Sequence, residues 1–563
     1  MDVVKAVQGY VLKMVDDLRG MKVLLLDVDT TSIVSLVATQ SQLLAKECYL
    51  IDRIDNKNRD RMRHLKCVCF LRPTAQSIQW LVEELRNPCY GDYYLHFSNT
   101  LKKSTIERLA EVDEHEVVRE VQEYFGDYMA INSDLFSLNL HPPQYQLYSE
   151  SLATWNANTL ERTVQGLSAA LLSLKKKPVI RYERNSALCQ KLAAELRYHI
   201  QQEGQLYDFR RADTPPILLI LDRRNDPVTP LLTQWIYQAM VHELIGIHNG
   251  RVDMSNVPDI QSELKEIVLS ADQDPFFKKC MYLNLGDLGA NIKAYVDKYQ
   301  NKTKSNMHIE SIADMKRFVE EYPEFRKLSG NVSKHVAVVG ELSRKVTQYH
   351  LLEVSELEQS LANSEHHGDD LKHLQQLIAT PAVPEETKLR LVMLYALRYE
   401  KSPNNATRSL KDLLAKNGVS DRRSSVIDAV IRYAGEKQRQ DDLFSNQSFL
   451  SRGRSALKGL KGVENVYTQH TPHLAETIEQ LLKNRLRDTS FPFIDGGEVT
   501  REKPQDVIIF MVGGTTFEEA KYIAQLNATT PGTRFVLGGT CVHNSTSFLT
   551  DVVNADNLIR GIV

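Results

Sequence analysis

Two acidic residues follow the first apolar stretch of the chain at a spacing that could serve phosphoryl transfer. In Asp27-Val28-Asp29-Thr30 the first carboxylate could attack phosphorus and the second could move protons, with Mg²⁺ neutralising the charge. That chemistry also needs a lysine and a later acidic pair that returns to the metal. Gly368-Asp369-Asp370 is the best candidate pair, but it lies in a helical region. We therefore expect a strand end with a turn, and a phosphotransferase is the alternative.

Glycine pairs follow two apolar runs near the C-terminus, in Gly513-Gly514-Thr515-Thr516 and Gly538-Gly539-Thr540. Backbone N–H groups at such turns can hold a phosphate when a helix begins there. Neither segment matches a P-loop or a dinucleotide fingerprint, and no lysine follows at the required spacing. Glycine also lets a strand turn tightly into a helix. We expect this second role, and we expect no cofactor.

Cysteine and histidine are close enough for a metal site at two places in the sequence. His64 lies near Cys67 and Cys69, and Cys541 lies near His543. The first group offers three ligands at most, and Cys67 and Cys69 fall on one face of a predicted strand. Buried free thiols are the simpler interpretation. No GxSxG or HExxH motif occurs, so the sequence predicts neither a metal site nor catalysis.

The composition is that of an intracellular globular protein. The chain has 563 residues, 42% hydrophobic and 25% charged, with 69 Lys+Arg against 72 Asp+Glu, enough for about three to five domains. The net charge of −3 lacks the strongly basic field of a nucleic-acid binder. No run of about 18 apolar residues predicts a membrane span. The N-terminus lacks the pattern of a signal peptide, and the seven cysteines are scattered, unlike a disulfide framework.

The N-terminal segment predicts alternating strands and helices. The predicted strands are 22–28, 33–38, 47–51, 66–71 and 93–97, with a helix at 75–86. Such alternation favours a mostly parallel sheet. Residues 109–128 predict a closing helix, since Asp113 and Glu116 form a capping pattern and Val117, Val121 and Tyr124 share one helical face.

A second α/β region is assembled from distant parts of the chain. The run 215–222 predicts a buried strand, as do 507–512 and 534–537 far downstream. We expect them in one sheet, with the helical residues 248–480 inserted between them. Within that insertion 311–325 and 332–361 predict helices, the second about 45 Å long. It packs within its own domain or against a partner helix. Residues 402–408 and 442–466 predict solvated loops.

One long segment includes Leu221-Asp222-Arg223-Arg224-Asn225-Asp226-Pro227 and continues to Trp235 and His242-Glu243-Leu244. It resembles the signature of the Sec/Munc (SM) family of syntaxin-binding proteins. Three further stretches agree, namely 512–520, 538–545 and 318–342, and so does 23–33. The resemblance covers the whole chain in one order, and it is strongest to the branch that acts between the trans-Golgi network and endosomes.

The resemblance implies an arch of three domains without catalysis, of fold class α/β plus all-α. They would be an N-terminal α/β domain at 1–138, a discontinuous α/β domain at 139–247 and 480–563, and a helical domain at 248–479. The helical domain would carry a SNARE-templating hairpin near 310–362.

The resemblance also implies where a syntaxin-like (Qa) SNARE would bind. Its N-terminal peptide would enter a pocket on the first domain formed by Ile106, Leu109, Val117, Val121 and Tyr124. Ordinary packing of a helix on a sheet is the alternative for these residues. The hairpin would bend or extend at Pro323 and present Phe325, Val332, Val336, Val339 and Leu342 to SNARE helices. Pro323 could instead merely end a helix.

The signature segment is expected to be a scaffold that joins the second and third domains. Asp222, Arg223, Asp226 and Trp235 would act there, with buried charge pairs. The implied protein is a cytoplasmic, monomeric SNARE chaperone that also meets partly assembled SNARE complexes. It would reach trans-Golgi and endosomal membranes peripherally, through the SNARE alone, and would not bind nucleic acid. A phosphotransferase and a structural tethering adaptor are the alternatives.

Overall fold

The computed structural model describes residues 1–210, 212–307, 312–363, 366–444, 467, 469–496 and 503–562, with only the backbone described at 304–307 and 312–325. The chain divides into two compact units. The first comprises Met1–Arg223, Gln480–Thr515 and Tyr522–Val542, and the second comprises Arg224–Glu479, Thr516–Lys521 and His543–Val563.

The first unit begins with a sheet of five parallel strands in the order β2-β1-β3-β4-β5. The strands are β1 (Lys22–Leu26), β2 (Cys48–Arg53), β3 (Met62–Leu71), β4 (Tyr90–Phe97) and β5 (Val118–Glu123). The helices are α1 (Val3–Asp16), α2 (Val28–Val37), α3 (Gln40–Ala45), α4 (Ala75–Arg86) and α5 (Lys103–Val112). This confirms the predicted parallel sheet, four of its five predicted strands and the helix at 75–86.

The strand predicted at 33–38 is wrong, because these residues lie in and just after α2. Asp27 and Thr30 form a reciprocal capping box: the Thr30 N–H donates to Asp27 Oδ1 over 2.8 Å, and the Asp27 N–H donates to Thr30 Oγ1 over 3.0 Å. A helix that begins with two satisfied backbone donors continues through β-branched residues, whose preference for strands is weak by comparison.

The helix predicted at 109–128 is also wrong. Helix α5 ends at Val112, and the Asp113 carboxylate accepts the N–H groups of Val117 (2.9 Å) and Val118 (3.0 Å) at the start of β5. Glu116 has a left-handed φ of +50°, which ends helical propagation. The valines and charged residues that follow alternate with the period of a strand.

A second sheet in the first unit has six strands in the order β6-β7-β14-β12-β9-β8, parallel except for the β6–β7 pair. They are β6 (Met129–Asn132), β7 (Leu135–Ser137), β8 (Val179–Tyr182), β9 (Ile217–Asp222), β12 (Asp506–Val512) and β14 (Arg534–Gly539), with helices α6 (Ala157–Ser173) and α7 (Ala187–Gln202). Strands β14, β12 and β9 are neighbours. The predicted assembly of one sheet from distant parts of the chain is therefore confirmed.

The two glycine pairs make room for neighbouring side chains. A Cβ atom on Gly538 would overlap the ring of Phe136. Gly513 has a φ of +92°, and a Cβ there would lie 2.9 Å from the Cβ of Arg223. Packing and backbone conformation therefore explain these glycines. Gly513 lies in a turn as predicted, whereas Gly538 lies inside β14, where the sequence predicted a turn into a helix.

The second unit is helical apart from the short antiparallel pair β10 (Arg251–Asp253) and β11 (Glu266–Val268). Its helices are α8 (Tyr237–Leu244), α9 (Pro275–Cys280), α10 (Leu285–Met307), α11 (Ile312–Gln348), α12 (Leu351–Asn363), α13 (His367–Ala379), α14 (Glu385–Arg398), α15 (Thr407–Lys416), α16 (Asp421–Ala434) and α19 (Ser545–Ile559). Elements with residues in both units are α17 (His473–Leu482), α18 (Phe517–Thr529), β13 (Thr515–Thr516) and β15 (Val542–His543).

The helix predicted at 332–361 is interrupted in the structure. Helix α11 runs for 37 residues, about 55 Å, and its backbone is helical through Pro323. It ends at Gln348, because His350 takes a left-handed φ of +53° and its carbonyl accepts the Val354 N–H (3.1 Å) at the start of α12. From residue 312 onward, the helix predicted at 311–325 is part of α11.

The fold class, α/β with an all-α part, is confirmed. The predicted boundary near 138 falls inside the first unit, which holds both sheets, and the division into three domains stays a prediction. Among the described helices, none combines the length and apolar composition that crossing a bilayer requires. The loop predicted at 442–466 lies outside the described residues from 445 onward.

Candidate partner-binding sites

Asp27, the first residue of the acidic motif, is the N-cap of α2, and both of its carboxylate oxygens accept hydrogen bonds. Asp27 Oδ1 accepts from the N–H and Oγ1 of Thr30, at 2.8 and 2.9 Å, while Oδ2 accepts from the Arg72 N–H (2.7 Å) and Ser77 Oγ (2.8 Å). Burial raises the pKa of Asp27 despite these hydrogen bonds. Asp370 belongs to α13, where it accepts from Ser360 Oγ over 2.6 Å. Both carboxylates therefore have structural roles.

The first of the two cysteine and histidine groups has a local structural explanation. The Sγ atoms of Cys67 and Cys69 lie 3.7 Å apart inside the first sheet's core, and burial raises the pKa of the Cys67 thiol well above its ordinary value. His64 is exposed on the same strand. His543 has a neighbour that the sequence analysis missed, Asp551, whose carboxylate lies 3.4 Å from Nε2.

Two apolar side chains are exposed where the first sheet ends at β5. Ile106 on α5 is 44% exposed and Val121 on β5 is 41% exposed. Val121 pairs in register with Leu95, so both point to the face of the sheet that α4 and α5 cover. Leu109 is buried in the same core, and Val117 packs against it. We call Ile106 and Val121 the α5–β5 surface.

Tyr124 does not belong to that surface. Its ring stacks on Tyr10 of α1 with centroids 5.2 Å apart and lies 5.0 Å from the ring of His96. His96 points away from Leu95, its neighbour on β4. The five predicted pocket residues therefore do not share one face. The predicted helix that would have aligned Leu109, Val117, Val121 and Tyr124 does not form. Ile106 and Val121 are the most exposed of the four residues that remain on one face.

Helix α11 presents most of its predicted template residues to its own core. Val332 and Leu342 are buried, and Val339 packs against the hydrophobic cluster that contains Leu342. Val336, in contrast, is 43% exposed. One residue turns a helix by about 100°, so Val336 lies just outside the buried stripe. Pro323 and Phe325 lie on the α11 backbone, and their side chains are outside the described residues.

The signature segment is a run of buried hydrogen bonds. Asp222 accepts from Ser186 Oγ over 2.6 Å within the first unit, and the first unit's opening segment ends at Arg223, whose Nη1 donates to the Gly514 carbonyl over 3.4 Å. In the second unit, Asp226 accepts from the Thr229 hydroxyl and Trp235 Nε1 donates to Ser355 Oγ, at 2.6 and 2.8 Å. These contacts fit a scaffold, and the proposed junction role stays a prediction.

A buried carboxylate cluster continues that scaffold in the second unit. Glu358 on α12 accepts the Thr233 N–H (2.7 Å) and hydroxyl (3.0 Å), and Arg390 on α14 lies 3.8 Å away. Arg390 also pairs with Glu243 over 3.1 Å. Sequence reasoning missed both residues, because Glu358 lies 125 residues from Thr233 and Arg390 lies 147 residues from Glu243, and no local pattern marks them.

Two α/β sheets, a largely helical second unit and a buried signature segment characterise one class of protein. Residues 22–551 match the Sec1 family, and the chain belongs to that family. It is 51% identical over 555 residues to human "Vacuolar protein sorting-associated protein 45", covering 98% of this chain and 96% of that protein. The protein of that name from Schizosaccharomyces pombe is 48% identical over 564 residues, with 100% of both chains covered.

A solved structure, "SM Protein Vps45 in Complex with Qa SNARE Tlg2 (1-310)", is similar to the chain throughout. The sequence identity is 58%, the TM-score is 0.93, and 99% of each chain is covered. The more distant Unc18 of Monosiga brevicollis, at 18% identity and a TM-score of 0.78, shares the fold. The resemblance to SM proteins inferred from the sequence is confirmed.

Proposed function

We propose that the protein is an SM-type SNARE chaperone that binds a syntaxin-like Qa-SNARE and promotes SNARE assembly for vesicle fusion. The observation that carries the proposal is the similarity, at 58% identity over 99% of both chains, to an SM protein in complex with the Qa-SNARE Tlg2. The traffic step is that of the vacuolar sorting relatives, between the trans-Golgi network, endosomes and the vacuole.

The N-terminal peptide of the SNARE binds at the α5–β5 surface. Exposed apolar side chains at a sheet's end suit an aromatic or leucine anchor of a short peptide. Ile106 and Val121 provide that contact, while buried Leu109 and half-buried Val117 support it from below. Arg119, on the same strand, is held by Asp92 over 2.7 Å.

The SNARE helix binds along α11, where Val336 is the exposed contact. Proline inside a helix removes one backbone hydrogen bond and costs about 3 kcal/mol relative to alanine. Pro323 therefore weakens the far part of α11 and lets the hairpin bend there. Holding a SNARE helix in register reduces the entropy that it loses when it folds on binding.

The chaperone acts without catalysis, and it reaches the membrane peripherally through the SNARE. Asp27, the residue a phosphotransferase would use, has donors on both carboxylate oxygens. Its function in this account is to begin α2. A monomer presents both surfaces, the α5–β5 surface and the Val336 face of α11, to one SNARE.

Calorimetric titration with the cytosolic region of a syntaxin-like Qa-SNARE tests the proposal. Removing the SNARE's N-terminal peptide should weaken binding, and Val121→Arg should weaken binding only while the peptide is present. Tyr198→Arg is the matched control, because Tyr198 is also an exposed apolar residue of the first unit and should have no effect.

The second surface is tested in the same way. Val336→Arg should weaken binding of the SNARE region that lacks its N-terminal peptide, whereas Leu352→Arg, on α12 and equally exposed, should not. Pro323→Ala should strengthen binding of partly assembled SNARE complexes. Failure of trans-Golgi and endosomal Qa-SNAREs alike to bind the folded wild-type protein would refute the proposed function.

A further inference from the structure

Two consecutive residues of α11 point at the same buried carboxylate. Lys334 Nζ lies 2.6 Å from Asp274 Oδ2, and His335 Nε2 lies 2.7 Å from that oxygen. His335 and Asp274 are both buried, and Asp274 is the N-cap of α9. Lys334 Nζ also donates to the Val268 carbonyl of β11 over 3.2 Å. One turn of α11 is therefore fixed to two other elements at once.

The other nitrogen of His335 is held by a third element. Tyr237 on α8 donates its hydroxyl to His335 Nδ1 over 2.7 Å, so that Nε2 carries the proton donated to Asp274. Burial lowers the pKa of His335 by more than Asp274 raises it, which keeps the ring neutral with a single proton. The ring of Phe276 packs against His335 with centroids 4.7 Å apart. We call Tyr237, Asp274, Lys334 and His335 the His335 cluster.

The cluster determines which way the next residue points. His335 lies on the buried stripe of α11, and Leu342 and Val346, about two and three turns on, lie on that stripe as well. Val336 is about 100° further round the helix and is therefore exposed. A rotation of α11 that buried Val336 would break the contacts of His335 with both Tyr237 and Asp274.

We propose that the His335 cluster is a positioning device that fixes the rotation of α11 and so presents Val336 to the SNARE helix. The inference rests on the proposed function, in which Val336 is a contact. His335, Asp274 and Tyr237 act only through the orientation of α11. Burial of apolar surface has no preferred direction, whereas two hydrogen bonds on opposite sides of one ring fix its orientation.

Tyr237→Phe tests the device, because it removes one hydroxyl and leaves the volume of the side chain unchanged. The control is Tyr395→Phe, because Tyr395 is a buried tyrosine of the same unit whose hydroxyl bonds His367 Nε2 over 2.8 Å and accepts the Ala406 N–H over 3.1 Å. This control should lose at least as much thermal stability as Tyr237→Phe. Only Tyr237→Phe should weaken binding of the Qa-SNARE cytosolic region that lacks its N-terminal peptide, by about fivefold, the equivalent of one buried hydrogen bond.

A double substitution separates positioning from general stability. If the cluster acts through Val336, adding Tyr237→Phe to Val336→Ala should cost no further affinity, since the contact has already been removed. Additive losses, or equal losses in Tyr237→Phe and Tyr395→Phe, would overturn the inference. If wild-type protein and Val336→Arg bind this SNARE region equally, the proposed contact itself fails, and that outcome is distinguishable because it does not involve Tyr237.

Discussion

Replacing Glu358 by glutamine should remove the loss of stability that the titration of this buried carboxyl causes in the second unit as pH rises towards neutrality. Glu358 is fully buried between the Thr233 backbone and the Arg390 guanidinium. Glutamine keeps the shape, and its carbonyl can accept the Thr233 N–H while its amide donates to the Thr233 hydroxyl. Arg390 keeps its ion pair with Glu243, 3.1 Å away. The substitution therefore removes the titration of Glu358 and little else.

The magnitude follows from the difference in pKa between the folded and unfolded states. Burial raises the pKa of Glu358 from 4.5 to about 7, although the Arg390 charge and the Thr233 hydrogen bonds oppose it. At about 1.36 kcal/mol per unit, the difference corresponds to about 3 kcal/mol. The folded state retains the proton longer, so this contribution to stability is lost as pH rises from the unfolded pKa through about 7.

Urea unfolding measured between pH 5 and pH 8 tests this prediction. Trp235, in the same unit, reports on unfolding once Trp80 and Trp155 are replaced by phenylalanine. Relative to its parent, Glu358→Gln should gain about 3 kcal/mol across this range. Glu341→Gln is the control, because hydrogen bonds from Arg344 lower the pKa of Glu341. That carboxyl is therefore ionised in the folded and unfolded states alike above about pH 5, and the stability difference from the parent should stay constant across this range. A stability difference between Glu358→Gln and its parent that stays constant with pH would refute the reasoning.

Three further predictions concern packing and the acidic motif. Leu342→Ala should cost about 2–5 kcal/mol because it leaves a cavity, whereas Val336→Ala should stay within about 0.5 kcal/mol in the same urea assay. Gly538→Ala should lower the melting temperature, since its Cβ would overlap an aromatic ring, while Gly9→Ala, in open space on α1, should not. Asp27→Asn should destabilise the first unit by about 1–3 kcal/mol, and Mg²⁺-dependent release of phosphate from a generic ester should be absent with and without the substitution.

The sequence was informative where the determinants of structure are local. The buried runs before Asp27 and Asp222 predict strands that form, and the amphipathic pattern at 75–86 predicts α4 with the bounds that the structure has. Of the two glycine pairs, Gly513 lies in a turn after β12 as predicted, whereas Gly538 and Gly539 lie within β14. The assembly of one sheet from β9, β12 and β14 was predictable too, because all three are continuous apolar runs of the kind found in parallel sheets.

The errors arose where two local signals compete. At 33–38, β-branched composition favoured a strand, but the capping box at Asp27 had already begun a helix. At 109–128, apolar residues fit a helical period and a strand period equally well over a short window. The second error placed Tyr124 on the wrong face, so four of the five predicted pocket residues lie on one side of the sheet, namely Ile106, Leu109, Val117 and Val121.

Buried polar clusters were beyond prediction from the sequence alone. His335 and Asp274 are 61 residues apart, and Thr233 and Glu358 are 125 apart. A single histidine or glutamate in a helical pattern is indistinguishable from a solvated one until the fold brings its partner near. The exposure of Val336 could not be predicted from the sequence either, because it depends on which side of α11 the neighbouring elements cover.

Site-specific photocrosslinking tests the central claim most directly. A photoreactive residue would replace Val121, Val336 or Tyr198 in turn, and each protein would be mixed with the full cytosolic region of a syntaxin-like Qa-SNARE. The account predicts crosslinks from position 121 to the SNARE's N-terminal peptide, crosslinks from position 336 to its SNARE helix, and none from position 198. Crosslinks to the same SNARE segment from all three positions, or from none of them, would contradict it.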